Sequence, residues 1–496
     1  MQKVTPGQIL TLLLYVTMMS GIILTMSPGE LKLTDEIALR VPTFKDVLPR
    51  QLLERNKERD TEVAYQEIDD TQDEVEPADS LWTEKGKGGN SKKKNTTNKK
   101  VQVSTKPGDI AIEYAKEDRK ALDAFFAGLE AVVNEGEMIR VLHFGDSQLE
   151  GDRMTERLRR NMQNQFGGCG IGMVPITEIK NIRSTLTQDA SSNWETYAVY
   201  GNEGKTPMHG DFGVFGKYFS FQKDSTQAMT EAFLEFGRTS YTRRQERRFE
   251  KMRLFFRNPD STLKIHYKMN GIKSDTVDVA PEFGPQSLSL PISGELGEVE
   301  LSFRTSGNPE FYGVSFDCNS GVSVDNIPFR GSSGTEFTKM HRNHLKEIVQ
   351  NLNVRLLILQ FGVNVVPQIR ESYSFYERVF YRQLKYLQGL YPNASILVVG
   401  VSDMAHKDGT EMRSYTNIKE ISAAQRKAAA KAGVAFWDLY KAMGGENSII
   451  KWVDREPAWA NKDYTHFTRR GANHVGDMLY NELMREYAKY KKRKNS

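Results

Sequence analysis

Cysteine is almost missing from this chain: its 496 residues include two, Cys169 and Cys318, far apart in sequence. Two cysteines build no disulfide framework, so the fold must rest on apolar cores. Whether the pair is joined or stays as two separate buried thiols is open at this level. Net charge is also small, +4, and acids and bases are gathered in separate runs. Neither feature supports a nucleic-acid partner, and none is expected. No unit of fixed length repeats, which argues against a solenoid or propeller. His341 and His344 lie three apart with no carboxylate or cysteine pattern to complete a metal site, so neither a metal nor a cofactor is expected.

What is present divides the chain. Hydrophobic residues make up 39% of it at a mean hydropathy of −0.55, enough for more than one core together with a long polar stretch. Ile9 to Met26 carries no charge and as a helix would be roughly 27 Å long, near the thickness of a bilayer's hydrocarbon core. No Ala-x-Ala-like site follows it, so residues 1–28 are expected to be an uncleaved membrane anchor rather than a signal peptide. Lys3 on its N-terminal side points the rest of the chain out of the cytoplasm, to the periplasm or cell surface, held at the inner membrane. Residues 29–108 are expected to be a disordered charged linker, whose stretch from about Gln51 to Gly108 is acidic and then rich in Gly, Lys and Asn and would span on the order of 40 Å as a coil.

Beyond the linker the hydrophobic period changes twice. Residues 109–190 read as helix, buried strand (Met138 to Phe144) and amphipathic helix (Asp152 to Phe166). Residues 191–325 drop to a period of two in runs such as MRLFFRN, LKIHYKMNG and VELSFRT, as in an all-β sandwich. Residues 326–490 return to alternating helices and strands, and 491–496 form a basic tail. The economical fold is an α/β domain, three layers with a parallel sheet covered on both faces, interrupted by an inserted β-sandwich.

Ligands of open parallel sheets gather at the carboxyl ends of the strands. There the chain places VLHFGDSQLEGD with Ser147, the loop FRGSSG with Gly331, FGVN with Asn364, and WANKDYTHF with Asp463 and His466. A serine hydroxyl needs a neighbouring base to become a nucleophile, and His466 is suited to that role with Asp463 orienting its ring. The backbone N–H groups of Ser147 and Gly331 and the amide of Asn364 are suitable donors for an oxyanion.

These four blocks, GDS, the RGSSG glycine, GVN and DYTH, resemble in their order those of the GDSL or SGNH hydrolases. More narrowly, the segment from His143 to Pro175, the β-insertion and WANKDYTHFTRRGA resemble bacterial peptidoglycan O-acetylesterases and the related O-acetyltransferases. The resemblance covers about Met138 to the C-terminus. It implies Ser147, Asp463 and His466 as a catalytic triad, Ser147, Gly331 and Asn364 as an oxyanion hole, and a carbohydrate-binding-like insertion. It also implies an esterase acting on an O-acetylated cell-wall glycan through an acyl-serine intermediate. The same triad could instead pass acetyl to a polysaccharide hydroxyl, with a membrane O-acyltransferase as donor partner, and a wall-binding protein with an idle triad is a third reading. GVN is followed by Val365 and Val366, where relatives carry more polar residues. Trp459 could floor a sugar pocket or pack. Trp194, Tyr197, Tyr200, Phe212, Phe215, Tyr218 and Phe219 could face sugar or fill the sandwich core.

Overall fold

The computed structural model describes residues 110–115, 119–179, 182–201, 204–222 and 228–496, and two short strands near the N-terminus. Those strands, Glu30–Lys32 and Ala38–Arg40, pair antiparallel with Leu31 opposite Leu39. They are a local departure from an unstructured 29–108, too short to register as periodicity. The expected anchor at Ile9 to Met26 lies outside the described residues. No described helix is long and apolar enough to cross a membrane.

Strands β1 (Met138–Gly145), β2 (Gly321–Pro328), β3 (Val354–Gln360), β4 (Ser395–Val399) and β5 (Ala435–Trp437) form one sheet in the order β2-β1-β3-β4-β5, with all neighbours parallel. The runs of β3, β4 and β5 are apolar almost throughout, without alternation, because both faces are covered. Leu356 and Ile358 of β3 enter one core while Leu357 and Leu359 enter the other, and β4 divides Leu397 and Val399 from Ile396 and Val398 in the same way. On the first face pack α1 (Asp123–Glu135) and α2 (Thr155–Phe166), with Phe126 and Leu158. The second face is covered by α3 (Arg342–Val349), α4 (Ser374–Leu390) and α5 (Ile418–Ala432), with Leu345, Phe380 and Ile421. Three further helices, α6 (Leu439–Met443), α7 (Ser448–Val453) and α8 (Arg469–Lys494), return to the first face with Leu439, Ile449 and Leu479.

The insertion packs two antiparallel sheets around its own core of Phe236, Leu254, Ile265, Leu301, Phe303 and Val314. Its limits differ from those expected. Gly172–Val174 and Leu186–Ala190 already belong to the sandwich, so it begins before 191. A three-residue strand whose partner lies in Glu310–Asp317 leaves no local signal. At the other end the limit of 325 falls inside β2, the edge strand of the parallel sheet. Only Cys318, Asn319 and Ser320 separate β2 from the last sandwich strand, so the two runs read as one β-rich stretch. The basic tail is likewise the last turn of α8, where Arg493 pairs with Asp123 at 2.6 Å and Lys494 with Glu130 at 2.6 Å. Cations at a helix C-terminus also complement its dipole.

Cys169 and Cys318 form a disulfide, with Cα atoms 5.2 Å apart, that joins the two crossings between the α/β domain and the sandwich. Beside it the buried Arg140 of β1 reaches Asp317 of the sandwich at 2.7 Å and Asp325 of β2 at 2.6 Å. The insertion is therefore clamped at its base by a covalent bond and a buried ion cluster. The disulfide closes a loop of 149 residues, so Cys318→Ser, or reduction of the native protein, is expected to lower unfolding free energy by about 2–4 kcal/mol. Calorimetry with and without reductant measures this, and an unchanged transition would contradict it.

Candidate active site

Register brings three strand ends level. Gly145 of β1 lies opposite Pro328 of β2 and Gln360 of β3. The loops that follow are tied to one another, since the Phe329 N–H donates to the Gly145 carbonyl at 2.7 Å and the Asp146 N–H to the Gln360 carbonyl at 3.2 Å. In this strand order the topology reverses between β1 and β3, the position where doubly wound sheets open a crevice. Gly145 permits the approach: a Cβ there would meet Leu149 Cδ1 at 2.6 Å and the Gln360 carbonyl oxygen at 2.7 Å.

Asp146 caps the short 3₁₀ segment Ser147–Asp152 by accepting from the Gln148 N–H at 3.1 Å through Oδ1. Its Oδ2 accepts from the N–H groups of Gly362 at 3.1 Å and Val363 at 3.3 Å, fixing the loop that carries Asn364. Burial pushes this carboxyl up to about 6, although its backbone donors and the charge of His466 pull it down.

Asp463 and His466 occupy a tight loop closed by pairing of Ala460 with Phe467 and turned at Tyr464, a non-glycine residue at φ 54°. Asp463 Oδ1 accepts the N–H groups of Thr465 at 2.9 Å and His466 at 3.0 Å, and Oδ2 meets His466 Nδ1 at 2.7 Å. His466 Nε2 then lies 2.8 Å from Ser147 Oγ. With the proton held on Nδ1 by the carboxylate, the lone pair of Nε2 faces the hydroxyl. Burial raises the Asp463 carboxyl, but its bonds to the His466 ring and to two backbone N–H groups outweigh that and hold it below the usual carboxylate range. The Asp463 side chain is 47% exposed and His466 27%, so this pair is open to solvent on one side.

The structure thus joins Ser147, His466 and Asp463 in one line of hydrogen bonds. It also brings the other two singled-out residues next to each other. Asn364 donates from Nδ2 to the carbonyl of Ser332 at 2.8 Å, which locks its side chain next to Gly331 and leaves a second amide hydrogen. Gly331 is exposed at φ +78°, with no atom closer than the Gly201 Cα at 4.0 Å to where a Cβ would sit. Val365 and Val366 are buried in the core, which accounts for their apolar character.

Sequence reasoning missed Gln148. Its Nε2 donates to the Thr465 carbonyl at 2.6 Å and to Ser402 Oγ at 3.3 Å, and its Oε1 accepts from Phe467 N–H at 3.4 Å. One buried amide therefore pins the His466 loop to the residue after Ser147. Its place beside GDS was the only hint. Also missed was a buried cluster behind Ser147. Arg159 holds Asp152, at φ 67°, through two 2.8 Å bonds and contacts Glu246 of the sandwich at 3.2 Å. Burial and the neighbouring Glu156 push the Glu246 carboxyl upward.

The remaining candidates have packing roles. His143 is buried between Thr155 at 3.0 Å and Gln360 at 3.3 Å, and burial pushes it down to about 4. His341 pairs with Asp211 at 2.8 Å, and His344 packs on the edge of Tyr312. The Trp459 ring packs against His474 at 4.2 Å and the Arg455 guanidinium at 3.8 Å. Tyr197 stacks on Tyr218, Phe212 and Phe215 are buried against the β2 side, and Phe219 lies in the sandwich core. Trp194 and Tyr200 do reach a cleft of about 570 Å³ between the sandwich and the loops near Ser147. Its α/β wall includes Glu150 and Arg330, an ion pair at 3.2 Å, three residues after Ser147 and one before Gly331.

No family model matches the sequence, and no curated protein is similar to it. Among solved structures, a peptidoglycan O-acetylesterase captured in action aligns with a TM-score of 0.60 at 22% identity, over 76% of this chain and 99% of its own. A family-two carbohydrate esterase from Clostridium thermocellum in complex with cellohexaose matches at 10% identity over 52% of this chain and 92% of its own, with a TM-score of 0.23. A GDSL-like lipase from Parabacteroides merdae matches at 18% identity over 33% and 74%, with a TM-score of 0.24. The first likeness establishes the fold. The resemblance carried by the four sequence blocks extends to the whole arrangement of α/β domain and inserted sandwich.

Gln148→Leu keeps side-chain bulk and removes all three bonds. If His466 serves Ser147 as its base, the change is expected to lower kcat for a small aryl acetate about 10- to 100-fold with KM little changed, because the imidazole is displaced from the hydroxyl. Steady-state kinetics would test this, and a native kcat would remove Gln148 from the positioning of His466.

Proposed function

We propose that this chain is a serine esterase of the SGNH type that removes O-acetyl groups from a cell-envelope glycan through an acyl-serine intermediate. The single observation that carries the reading is the unbroken line from Ser147 Oγ through His466 to Asp463, at 2.8 and 2.7 Å. Ser147 Oγ attacks the acetyl carbonyl carbon as its proton passes to His466 Nε2. The oxyanion that forms accepts hydrogen bonds from the Ser147 and Gly331 N–H groups and the free hydrogen of Asn364. Collapse breaks the ester C–O bond, and His466 returns the proton to the sugar oxygen. Water, deprotonated by the same imidazole, then releases acetate and restores Ser147.

Two features support a glycan ester over a lipid one. The cleft whose wall includes Glu150 and Arg330 is lined by Glu178, Glu195, Lys205 and Lys217 as well as by Trp194 and Tyr200, a mixture of charged and aromatic groups suited to a polar, ring-shaped substrate. A solved structure that shares the fold is a peptidoglycan O-acetylesterase. The disulfide fits an oxidising compartment outside the cytoplasm, as does the anchor read from Ile9 to Met26.

Ser147→Ala is expected to cut acetate release from O-acetylated peptidoglycan by at least about a thousandfold with circular dichroism unchanged. Release at the native rate would overturn the reading. Accumulation of acetylated sugar in place of acetate, when an acetyl donor and glycan are supplied together, would identify the chain as an O-acetyltransferase using the same serine.

A further inference from the structure

The outer helical layer of the α/β domain carries a surface that the ester chemistry does not use. After its first residue, the exposed positions of α4 are Phe375, Arg378, Arg382, Lys385 and Gly389, at alternating steps of three and four that place them along one stripe of the helix. A Cβ on Gly389 would collide with Nη1 of Arg342, so the α3 guanidinium continues the stripe at its far end. Arg342 also covers the Tyr386 ring at 4.6 Å, and Lys431 of α5 covers that of Tyr381 at 4.6 Å.

These charges are unmatched. Arg342, Arg378, Arg382, Lys385 and Lys431 meet no carboxylate among the described residues, whereas the cations that end α8 are paired, Lys489 with Glu486, Arg493 with Asp123 and Lys494 with Glu130. The single carboxylate of α4, Glu377, lies off the stripe and is partly buried. The near end of the stripe is apolar instead. Phe375 is 68% exposed, with the Arg378 guanidinium 6.0 Å from its ring, and Ile369, in the loop before α4, is 61% exposed. That loop folds back on the helix start, since Tyr373 OH donates to the Gln368 carbonyl at 2.9 Å and accepts from the Arg370 N–H at 3.3 Å. Single exposed apolar residues are ordinary, but two at the head of a cationic stripe make a patch. Tyr376 OH donates to the Ser333 carbonyl at 3.1 Å, so this end adjoins the loop of Gly331.

We propose that this face docks on a bilayer surface carrying anionic headgroups, with Arg342, Arg378, Arg382 and Lys385 at headgroup level and Phe375 and Ile369 entering the acyl boundary. Basic side chains beside aromatic and aliphatic ones are the composition of helices that lie in a membrane interface. Unmatched cations are drawn to a negative surface within about a Debye length, ~8 Å at physiological salt. A soluble polyanion would use the cations but leave both apolar side chains in water, which favours the bilayer. Docking on this face brings the loops of Gly331 and Asn364 toward the membrane, and it is independent of the chemistry at Ser147.

A tether at Ile9 to Met26 would hold the chain at a bilayer without turning this face to it, so the test reads the face itself. Both cysteines lie in the disulfide, which makes a nitroxide on Ser374→Cys, exposed at the start of α4, a unique label. The full-length protein is mixed with vesicles of phosphatidylcholine, with or without phosphatidylglycerol. Electron paramagnetic resonance then reads collision of the label with lipid-borne oxygen and with a water-soluble nickel chelate. Anionic vesicles are expected to raise oxygen contact and lower nickel contact, each about twofold or more, relative to neutral ones. Arg378→Glu, Arg382→Glu and Lys385→Glu together should return both to the neutral-vesicle values with the melting temperature unchanged. Ile369→Ser with Phe375→Ser should abolish the rise in oxygen contact by a separate route. No difference between the vesicle types, or the native difference in both multiple variants, would overturn the proposal. Shielding of the label by soluble polyphosphate but not by anionic vesicles would assign the stripe to a polyanionic polymer and overturn it as well.

Discussion

Everything about the site depends on holding one imidazole against a hydroxyl that is 319 residues away in sequence and 2.8 Å away in space. A hydroxyl is a poor nucleophile, and an imidazole serves it only in one tautomer and one orientation. Asp463 sets both, using one oxygen for the ring and the other for the backbone of its own loop. Gln148 fixes the loop to the strand end from which Ser147 emerges. Asp146 does the same for the loop of Asn364 on the other side. Consecutive residues, 146 to 148, thus supply the proposed nucleophile and both fastenings. Strand register makes this possible, because three parallel strands end level and their loops begin from a common edge.

Much of this was legible in the sequence. Continuous apolar runs at β1, β3 and β4 announce strands covered on both faces, and α5 begins and ends at Ile418 and Ala432 as its helical period predicts. Ser147, Asp463 and His466, which the fold joins by hydrogen bonds, stand out in the sequence because each sits in a short, chemically distinctive block. What escaped depends on partners remote in sequence. The Cys169–Cys318 bond could not be deduced from two thiols, since proximity is a property of the fold. β2 was absorbed into the sandwich because a buried parallel strand and a sandwich strand look alike in a single run. Gln148 is an ordinary polar residue until its three partners are in view.

The insertion is more than an attachment. It leaves the α/β domain after α2 and returns as β2, the strand beside β1, so the domain that carries it also depends on it for an edge. The disulfide and the Arg140 cluster hold that return path, and the contact of Arg159 with both Asp152 and Glu246 reaches from the sandwich to the turn behind Ser147. Removing one member of such a buried ion cluster leaves an uncompensated charge, so sandwich and nucleophile turn are mechanically coupled. The cleft between the two parts is then a fixed gap rather than a space between independent bodies.

In the proposed mechanism His466 makes Ser147 nucleophilic. A serine-directed fluorophosphonate tests it without assuming any glycan, with the adduct located by peptide mass spectrometry. The account predicts a single adduct on Ser147 in the native protein and its near-complete loss in His466→Ala. An unlabelled native protein, or equal labelling of Ser147 in His466→Ala, would contradict it.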